Sequence, residues 1–368
     1  MPAQITPLIS SLPASVPFVG PETQERTRGR TFRARIGANE NSFGPSPKAI
    51  AAMSAKAADI WKYGDPENHD LRHALASYHG VGPENIMVGE GIDGLLGLAV
   101  RLMVLPGTKV VTSVGAYPTF NFHVDGFGGQ LIKVPYANDR EDWRALIETA
   151  GVHNAALMYL ANPDNPMGTW WEADEIAQMI AAIPETMVLC LDEAYGEFAP
   201  EGTLPPIDVS IPRLLRFRTF SKAWGMAGVR IGYCIGEAGL IRQFDKIRNH
   251  FGVNALAQAG AIASLGDPDH LVRIRAAVEK ARARIGEIVR PFGFVPLPSA
   301  TNFVSVDCGR DGLFARKLLN ALIARDVFVR MPGVAPLDRC IRIGCGTDED
   351  LDYLASFLPE AIAAASEA

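Results

Sequence analysis

The sequence lacks several features that mark particular classes of protein. Its 368 residues carry 35 lysines and arginines against 41 aspartates and glutamates, and the basic residues form no long run. Nucleic-acid binding is therefore not expected. The most apolar window, GLLGLAVRLMVL, contains Arg101 and is shorter than the roughly 20 apolar residues that span a bilayer. We expect neither a nucleic acid nor a membrane among the partners.

Cysteine and histidine are also scarce, at five and seven residues, and no C-x-x-C pair occurs. Neither a disulfide framework nor a bound metal is predicted from so few ligands. Cys190, Cys234 and Cys340 lie in apolar, strand-like runs, which is typical of small buried thiols in a reducing compartment. Residues 1–20 contain prolines and lack the basic start and long apolar core of a signal peptide. These features predict a cytoplasmic protein.

Strand-like and helical patterns alternate over most of the chain. Such alternation predicts the α/β class, with a mostly parallel sheet flanked by helices in a large domain at residues 46–265. Residues 1–45 read as an irregular, proline-rich arm. Long helices at residues 239–250 and 268–293 and three further strand-like runs are predicted after residue 237. We expect a smaller α+β domain from residues 1–45 plus 266–368. The strand-like runs of the large domain are NIMVG, KVVTSV, QLIKVPY, AALMYLA, MVLCLDEA, LLRFRTF and VRIGYCI.

A glycine-rich turn, GEGIDG at residues 89–94, follows the first of these runs. It matches the G-x-G-x-x-G pattern of dinucleotide-binding proteins. That function also needs an acidic residue about 20 positions later, at the end of the next strand. The next run instead ends in Gly115-Ala116-Tyr117-Pro118, so a nicotinamide-dependent dehydrogenase is only an alternative. The turn still exposes backbone N–H groups at a helix start, which favours a phosphate, although a plain turn is also compatible.

The segment FRTFSKAWGMAGVRIGY, residues 217–233, places Lys222 at a turn after an apolar run. Burial lowers the pKa of a lysine and makes its amine a better nucleophile toward carbonyls. Thr219 and Ser221 add two hydroxyls, and the guanidinium of Arg230 suits a phosphate. Taken alone, Lys222 is also compatible with a surface residue whose stem covers apolar atoms.

Two other segments place polar side chains at the ends of strand-like runs. MVLCLDEAYGEF reaches Asp192, with Tyr195 three residues later, and YLANPDNPMGTWW carries Asn165 in turn-forming sequence. In open α/β sheets, the carboxyl ends of the strands are where ligands bind. Each segment by itself would equally suit an ordinary loop or a helix cap.

Together these segments carry a family resemblance. The order N-P-D-N-P-M-G, D-E-A-Y and S-K-A-W-G-M-A-G-V-R resembles the pyridoxal-phosphate aminotransferases of fold type I, class I/II. With ANENSFGPSP near the start and CIRIGCGT near the end, the chain most resembles the histidinol-phosphate aminotransferase family. The resemblance runs from about residue 36 to about residue 360.

The resemblance implies the cofactor pyridoxal 5′-phosphate and three catalytic residues. Lys222 would form a Schiff base with the cofactor, Asp192 would keep the ring nitrogen protonated, and Tyr195 would bond the ring hydroxyl. The chain would form a homodimer, in which Tyr63 reaches the phosphate of the neighbouring subunit. The other implied cofactor-binding residues are Gly91, Ile92, Asp93, Tyr117, Asn165, Thr219, Ser221 and Arg230.

The resemblance also implies an amino transfer to a 2-oxo acid such as 2-oxoglutarate. The donor would be an amino acid or an amino-phosphate, either like histidinol phosphate or aromatic. Arg342 and, at a second matching place, Arg330 would bind its anionic group. Met167 stands where the family usually has a small hydroxyl residue, and Gly64 stands where it has proline. These departures leave the substrate open, with a decarboxylase of a phosphorylated amino acid as the alternative.

Overall fold

A seven-stranded sheet forms the centre of the molecule in the computed structural model, which describes residues 3–14 and 19–367. The strands of the described residues are β1 (Ala34–Arg35), β2 (Ile86–Gly89), β3 (Lys109–Ser113), β4 (Gln130–Val134), β5 (Leu157–Ala161), β6 (Val188–Asp192), β7 (Leu214–Thr219), β8 (Gly232–Gly236), β9 (Val295–Pro296), β10 (Phe303–Asp307), β11 (Val327–Phe328) and β12 (Cys340–Gly344). The central sheet has the order β2-β8-β7-β6-β5-β3-β4, and β8 runs antiparallel to both of its neighbours. Its other pairings are parallel, which confirms the predicted fold class.

Helices cover both faces of this sheet. In the described residues they are α1 (Pro7–Ser11), α2 (Pro21–Arg28), α3 (Pro47–Lys56), α4 (His69–His79), α5 (Gly91–Met103), α6 (Pro118–Gly126), α7 (Trp143–His153), α8 (Ala173–Ala181), α9 (Ala238–Phe244), α10 (Ala255–Leu265), α11 (Pro268–Val289), α12 (Gly312–Ala324) and α13 (Asp348–Glu367). Within that part of the chain, no helix has the length and apolar character needed to cross a membrane.

Side chains of β5 show how the two faces are built. Leu157 and Tyr159 pack into the core that α5 and α6 share, whereas Met158 and Leu160 pack into the core under α7 and α8. This alternation follows from the two-residue period of a strand, and every residue of β5 is buried because both faces are covered. Because β5, β6 and β7 are parallel neighbours, their carboxyl ends meet along one edge of the sheet. Polar loop residues follow each strand there.

The C-terminal third forms a second, antiparallel sheet of order β12-β10-β9. The start of the chain contacts this sheet, because Gly344 of β12 donates its N–H to the carbonyl of Ile36. In addition, β1 pairs in parallel with β11 in a separate two-stranded sheet. The boundaries 46–265 and 1–45 plus 266–368 stay a prediction.

Two local predictions are wrong. The arm at residues 1–45 is not irregular throughout, because α1 and α2 lie within it and each begins with a proline at its first turn. The apolar pattern that starts at residue 239 predicts a helix to residue 250, but α9 ends at Phe244. The chain turns there, and Arg248 bonds the carbonyl of Pro66 through its guanidinium.

Candidate active site

A cavity of about 380 Å³ opens at the carboxyl ends of β5, β6 and β7, and its size is within the usual range for small-molecule sites. Most of the residues that the sequence singles out line this one cavity. They are Ile92, Asp93, Tyr117, Asn165, Asp192, Tyr195, Thr219, Ser221, Lys222, Arg230 and Arg342. Segments more than 200 residues apart in the sequence therefore converge on one space.

One end of the cavity offers donors suited to a phosphate. Helix α5 begins there, and its N-cap residue, Glu90, forms no side-chain hydrogen bond to the helix. Its first-turn N–H groups are thus available to an anion. The Arg230 guanidinium lies 3.4 Å from the Ser221 hydroxyl and 3.7 Å from an oxygen of Asp93. Gly91 has a left-handed backbone with φ of 79°, and a Cβ atom there would stand 2.4 Å from the Arg230 guanidinium, so glycine is favoured at this position.

Another part of the cavity lining is a buried carboxyl group. Asp192 accepts hydrogen bonds from the Tyr159 hydroxyl at 2.7 Å and from the Ala194 N–H at 2.9 Å. Burial raises the pKa of Asp192 to about 6, although these hydrogen bonds and nearby Lys222 oppose the rise. A buried carboxylate is stable in its ionised form only beside a positive charge. Asp192 is therefore suited to pair with a cationic group in the cavity.

Lys222 also lines the cavity. Burial, followed by the positive charge of Arg342, lowers the pKa of Lys222 to about 8. Its amine donates to the carbonyl oxygen of Asn39 at 3.2 Å, and the Asn39 amide donates to the Tyr195 hydroxyl at 2.9 Å. The lysine therefore has an appreciable neutral fraction near neutral pH, as a nucleophile requires.

Arg342 and Asn165 form a third feature of the cavity. The Arg342 guanidinium donates to the Asn165 side-chain oxygen at 2.6 Å and to the carbonyl of Gly37 at 3.4 Å. Burial lowers the pKa of Arg342 to about 10, so it stays a cation at neutral pH. Its Nε atom is buried without a hydrogen-bond partner among the described residues. A buried guanidinium with an unused donor is suited to an anionic group of a ligand.

Some predicted residues lie outside the cavity lining. Arg330 donates to the carbonyl of Val19 at 2.6 Å and forms a backbone bridge with Arg342. Tyr63 is 82% exposed, and its ring lies 4.6 Å from that of Phe251. Gly91 lies beside the Arg230 guanidinium at the start of α5, and its role in binding a phosphate stays a prediction.

Sequence reasoning missed several residues that line the cavity. Asn39, 4% exposed, has a left-handed backbone with φ of 57°, and it contacts both Lys222 and Tyr195. Its segment, ANENSFGPSP, is part of the family resemblance, but only the fold shows which side chains Asn39 contacts. Tyr159 looked like an ordinary core residue of an apolar strand. The other lining residues not singled out are Ala38, Glu40, Ala161, Pro163, Ala194 and Ala227.

A buried ionic network supports the loop between Asp192 and Tyr195. Glu193 accepts from the guanidinium of Arg216 at 2.6 Å and from that of Arg218 at 2.9 Å. Both arginines lie on β7, the strand that leads to Lys222. The network thus fixes the end of β6 relative to the end of β7, since a buried charge must keep its partners.

Comparisons with known proteins match most of the chain to one family. The family described as "Aminotransferase class I and II" matches residues 35–358. A histidinol-phosphate aminotransferase of Anaeromyxobacter sp. (strain Fw109-5) is 35% identical, with 88% of this chain and 90% of the relative covered. A second relative, histidinol-phosphate aminotransferase 2 of Ralstonia nicotianae, is 35% identical over 91% of this chain and 90% of its own length.

Solved structures extend the likeness to the whole chain. The histidinol-phosphate aminotransferase of Sinorhizobium meliloti, crystallised with pyridoxal 5′-phosphate, is 54% identical with a TM-score of 0.97, covering 100% of this chain and 99% of that one. The aspartate aminotransferase of Thermus thermophilus shares the fold at 19% identity and a TM-score of 0.82, covering 98% and 100% of the two chains.

Proposed function

Because the chain belongs to the aminotransferases of class I and II, we propose that it transfers an amino group from histidinol phosphate, or an aromatic amino acid, to a 2-oxo acid such as 2-oxoglutarate. One observation carries this proposal: Lys222, Asp192 and Arg342 line a single cavity, so an amine, an acid and a guanidinium can act on one small molecule. Histidinol phosphate is the preferred donor because it is the substrate named for the relatives with the greatest similarity reported above.

The cavity fits pyridoxal 5′-phosphate, the cofactor of this family. The uncapped start of α5, the Ser221 hydroxyl and the Arg230 guanidinium supply donors for its phosphate. Asp192 supplies an acid for its ring nitrogen, and Lys222 supplies an amine for its aldehyde. The cofactor residues that complete the proposal are Gly91, Ile92, Asp93, Tyr117, Asn165, Tyr195 and Thr219.

When bound, this cofactor supplies an aldehyde that reacts with amines and a ring that takes up electron density released at the substrate Cα. The chain's own residues then bind, orient and move protons. Lys222 would attach the cofactor through Nζ and, when displaced by substrate, would take the proton from the substrate Cα and return it. Asp192 would hold the positive charge at the ring nitrogen, and Tyr195 would donate toward the ring hydroxyl.

Arg342 would bind the anionic group of both substrates. Histidinol phosphate presents a phosphate and 2-oxoglutarate presents carboxylates. A guanidinium can bind either group through two parallel hydrogen bonds, in a bidentate arrangement. Asn165, which already accepts from Arg342, would orient that guanidinium. Arg330 is proposed as a second anion-binding residue, because its backbone bridge sets it beside Arg342.

A donor panel tests the proposed function. The purified protein with pyridoxal phosphate and 2-oxoglutarate is offered histidinol phosphate, histidinol and phenylalanine, and glutamate formation is measured. We expect the highest kcat/KM with histidinol phosphate. Absence of glutamate with every donor would refute the proposal. Carbon dioxide released from a phosphorylated amino acid, added to the panel without any 2-oxo acid, would instead favour the decarboxylase alternative.

The rate at which the apo-protein attaches the cofactor is expected to rise with pH and to level off above about pH 8. Only the neutral amine attacks an aldehyde, and Lys222 has a pKa of about 8 instead of its usual 10.5. Stopped-flow absorbance over a pH series measures the rate. A free lysine derivative is the control, and its rate should keep rising to well above pH 9. A plateau at that same high pH for the protein would contradict the lowered pKa.

The proposed assembly is a homodimer, with Tyr63 reaching the partner's cofactor phosphate. Trp61 and Tyr63 are 79% and 82% exposed, which is unusual for large aromatic side chains and suits a contact with a second copy. Light scattering gives the mass in solution and tests the assembly. The proposed location is the cytoplasm, where a reducing environment suits five cysteines that are all free and buried.

A further inference from the structure

Tyr159 lies within a buried strand, but its hydroxyl reaches the acid at the end of the neighbouring strand. The parallel register of β5 and β6 pairs Tyr159 with Cys190 and Ala161 with Asp192. Tyr159 and Asp192 therefore point to the same face of the sheet, one diagonal step apart, which is within reach of a tyrosine side chain. The Tyr159 hydroxyl donates to Asp192 Oδ2 at 2.7 Å.

The tyrosine is held in this position by its own packing. Its side chain is fully buried, and its ring stacks on that of Phe120 with a centroid distance of 4.7 Å. Asp192 receives a second donor on its other oxygen, the N–H of Ala194 at 2.9 Å. Each carboxyl oxygen thus has one fixed donor, so the orientation of the carboxyl group toward the cavity is set.

We propose that Tyr159 is a positioning residue for the cofactor: its hydroxyl orients Asp192 and keeps it ionised, so that Asp192 can pair with the protonated ring nitrogen. This inference rests on the proposed function, because it needs a cofactor nitrogen opposite Asp192. The role of Tyr159 is indirect, since it acts through Asp192.

The surroundings of Asp192 make that hydrogen bond consequential. Burial raises the pKa of Asp192, and the Tyr159 hydroxyl is the first of the contacts that lower it. Lys222 also favours the ionised form, whereas Asp93 opposes it. Without the Tyr159 hydroxyl, the pKa of Asp192 should rise further toward neutral pH. The titratable groups that face Asp192 from the surrounding elements are Asp93, Tyr117, Glu141, Tyr159, Cys190, Tyr195 and Lys222.

The test compares Tyr159→Phe with Tyr233→Phe. Tyr233 is an equally buried tyrosine of the same sheet, and its hydroxyl bonds His79 in a core cluster that does not include the cavity. The dissociation constant of pyridoxal phosphate from each apo-protein is measured by absorbance titration between about pH 5.5 and about pH 8.5. Thermal unfolding of the apo-proteins controls for stability.

We expect Tyr159→Phe to bind the cofactor about tenfold more weakly than the parent at neutral pH, since one hydrogen bond to a charged group is lost. The ratio of the two dissociation constants should grow as the pH falls, because the variant's Asp192 takes up a proton at higher pH. Tyr233→Phe should bind like the parent at every pH. A ratio for Tyr159→Phe that stays constant with pH, or equals one, would overturn the proposal.

A double-mutant cycle with Asp192→Asn gives a second test that does not depend on small stability losses. If Tyr159 acts through Asp192, adding Tyr159→Phe to Asp192→Asn should leave the cofactor affinity unchanged. If the two substitutions weaken cofactor binding by factors that multiply in the double variant, Tyr159 acts through packing independently of Asp192, and the inference is refuted. Failure of the parent protein to bind the cofactor would instead refute the proposed function.

Discussion

Replacing Lys222 with alanine is expected to slow amino transfer by about 10²–10⁴-fold or more. One positioned acid–base group typically contributes a factor of this order. The amine lies in the cavity with a pKa lowered to about 8, so the variant loses both the covalent anchor and the proton carrier. Cofactor binding itself should survive in part, because the donors around Ser221 and Arg230 remain.

Borohydride reduction followed by peptide mass spectrometry locates the attachment site, and single-turnover absorbance measures the rate. In the parent protein, the cofactor should be fixed to the peptide that contains Lys222. Lys280→Ala is a suitable control, because Lys280 is exposed and pairs with Asp348 on the surface. Small amines added to Lys222→Ala should restore part of the rate by occupying the space of the missing side chain. A variant that keeps the parent's rate, or fixation to another lysine, would refute the role of Lys222.

Replacing Arg342 with lysine should raise KM for histidinol phosphate and for 2-oxoglutarate by about 10²-fold, with a smaller effect on kcat. Removing one partner of a buried, hydrogen-bonded charge pair costs about 2–5 kcal/mol of binding free energy. A lysine keeps the positive charge of Arg342 but cannot form its bidentate hydrogen bonds. The change also leaves the Asn165 oxygen without its donor at 2.6 Å. Because substrate and transition state hold the same anion, the loss belongs mainly to binding.

Steady-state kinetics with a phosphorylated and an unphosphorylated donor separates this effect from a general defect. The parent should prefer histidinol phosphate strongly over histidinol, and Arg342→Lys should lose most of that preference. Arg284→Lys provides the matched control, since Arg284 is a surface residue that pairs with Asp352. An unchanged preference in Arg342→Lys would mean that another group binds the phosphate.

The sequence predicts the order of strands and helices because each has its own period. The apolar run at residues 157–161 and the helical pattern of α11 are local signals, and both appear where expected. The helix expected to residue 250 instead ends at Phe244, and Arg248, beyond that end, bonds the carbonyl of the distant residue Pro66. Contacts between distant segments leave no periodic pattern of apolar residues in the local sequence.

The residues of the candidate site also fall into two groups, those that the sequence identifies and those that only the fold brings to the cavity. Lys222, Asp192 and Asn165 are recognisable because they follow strands in motifs of fixed spacing. Tyr159 is not, because a tyrosine within a buried strand has the pattern of a core residue, and only the register of β5 against β6 brings it to Asp192. Asn39 escapes for a related reason, since its contacts with Tyr195 and Lys222 span more than 150 residues of sequence.

The pairing of β1 with β11 has a consequence for how the protein is made. A ribosome releases residues 34–35 long before their partners, residues 327–328, have been synthesised. Asn39, which forms part of the cavity wall, is held by Asn302 from the same late part of the chain. The binding pocket therefore cannot form before these late segments have left the ribosomal exit tunnel.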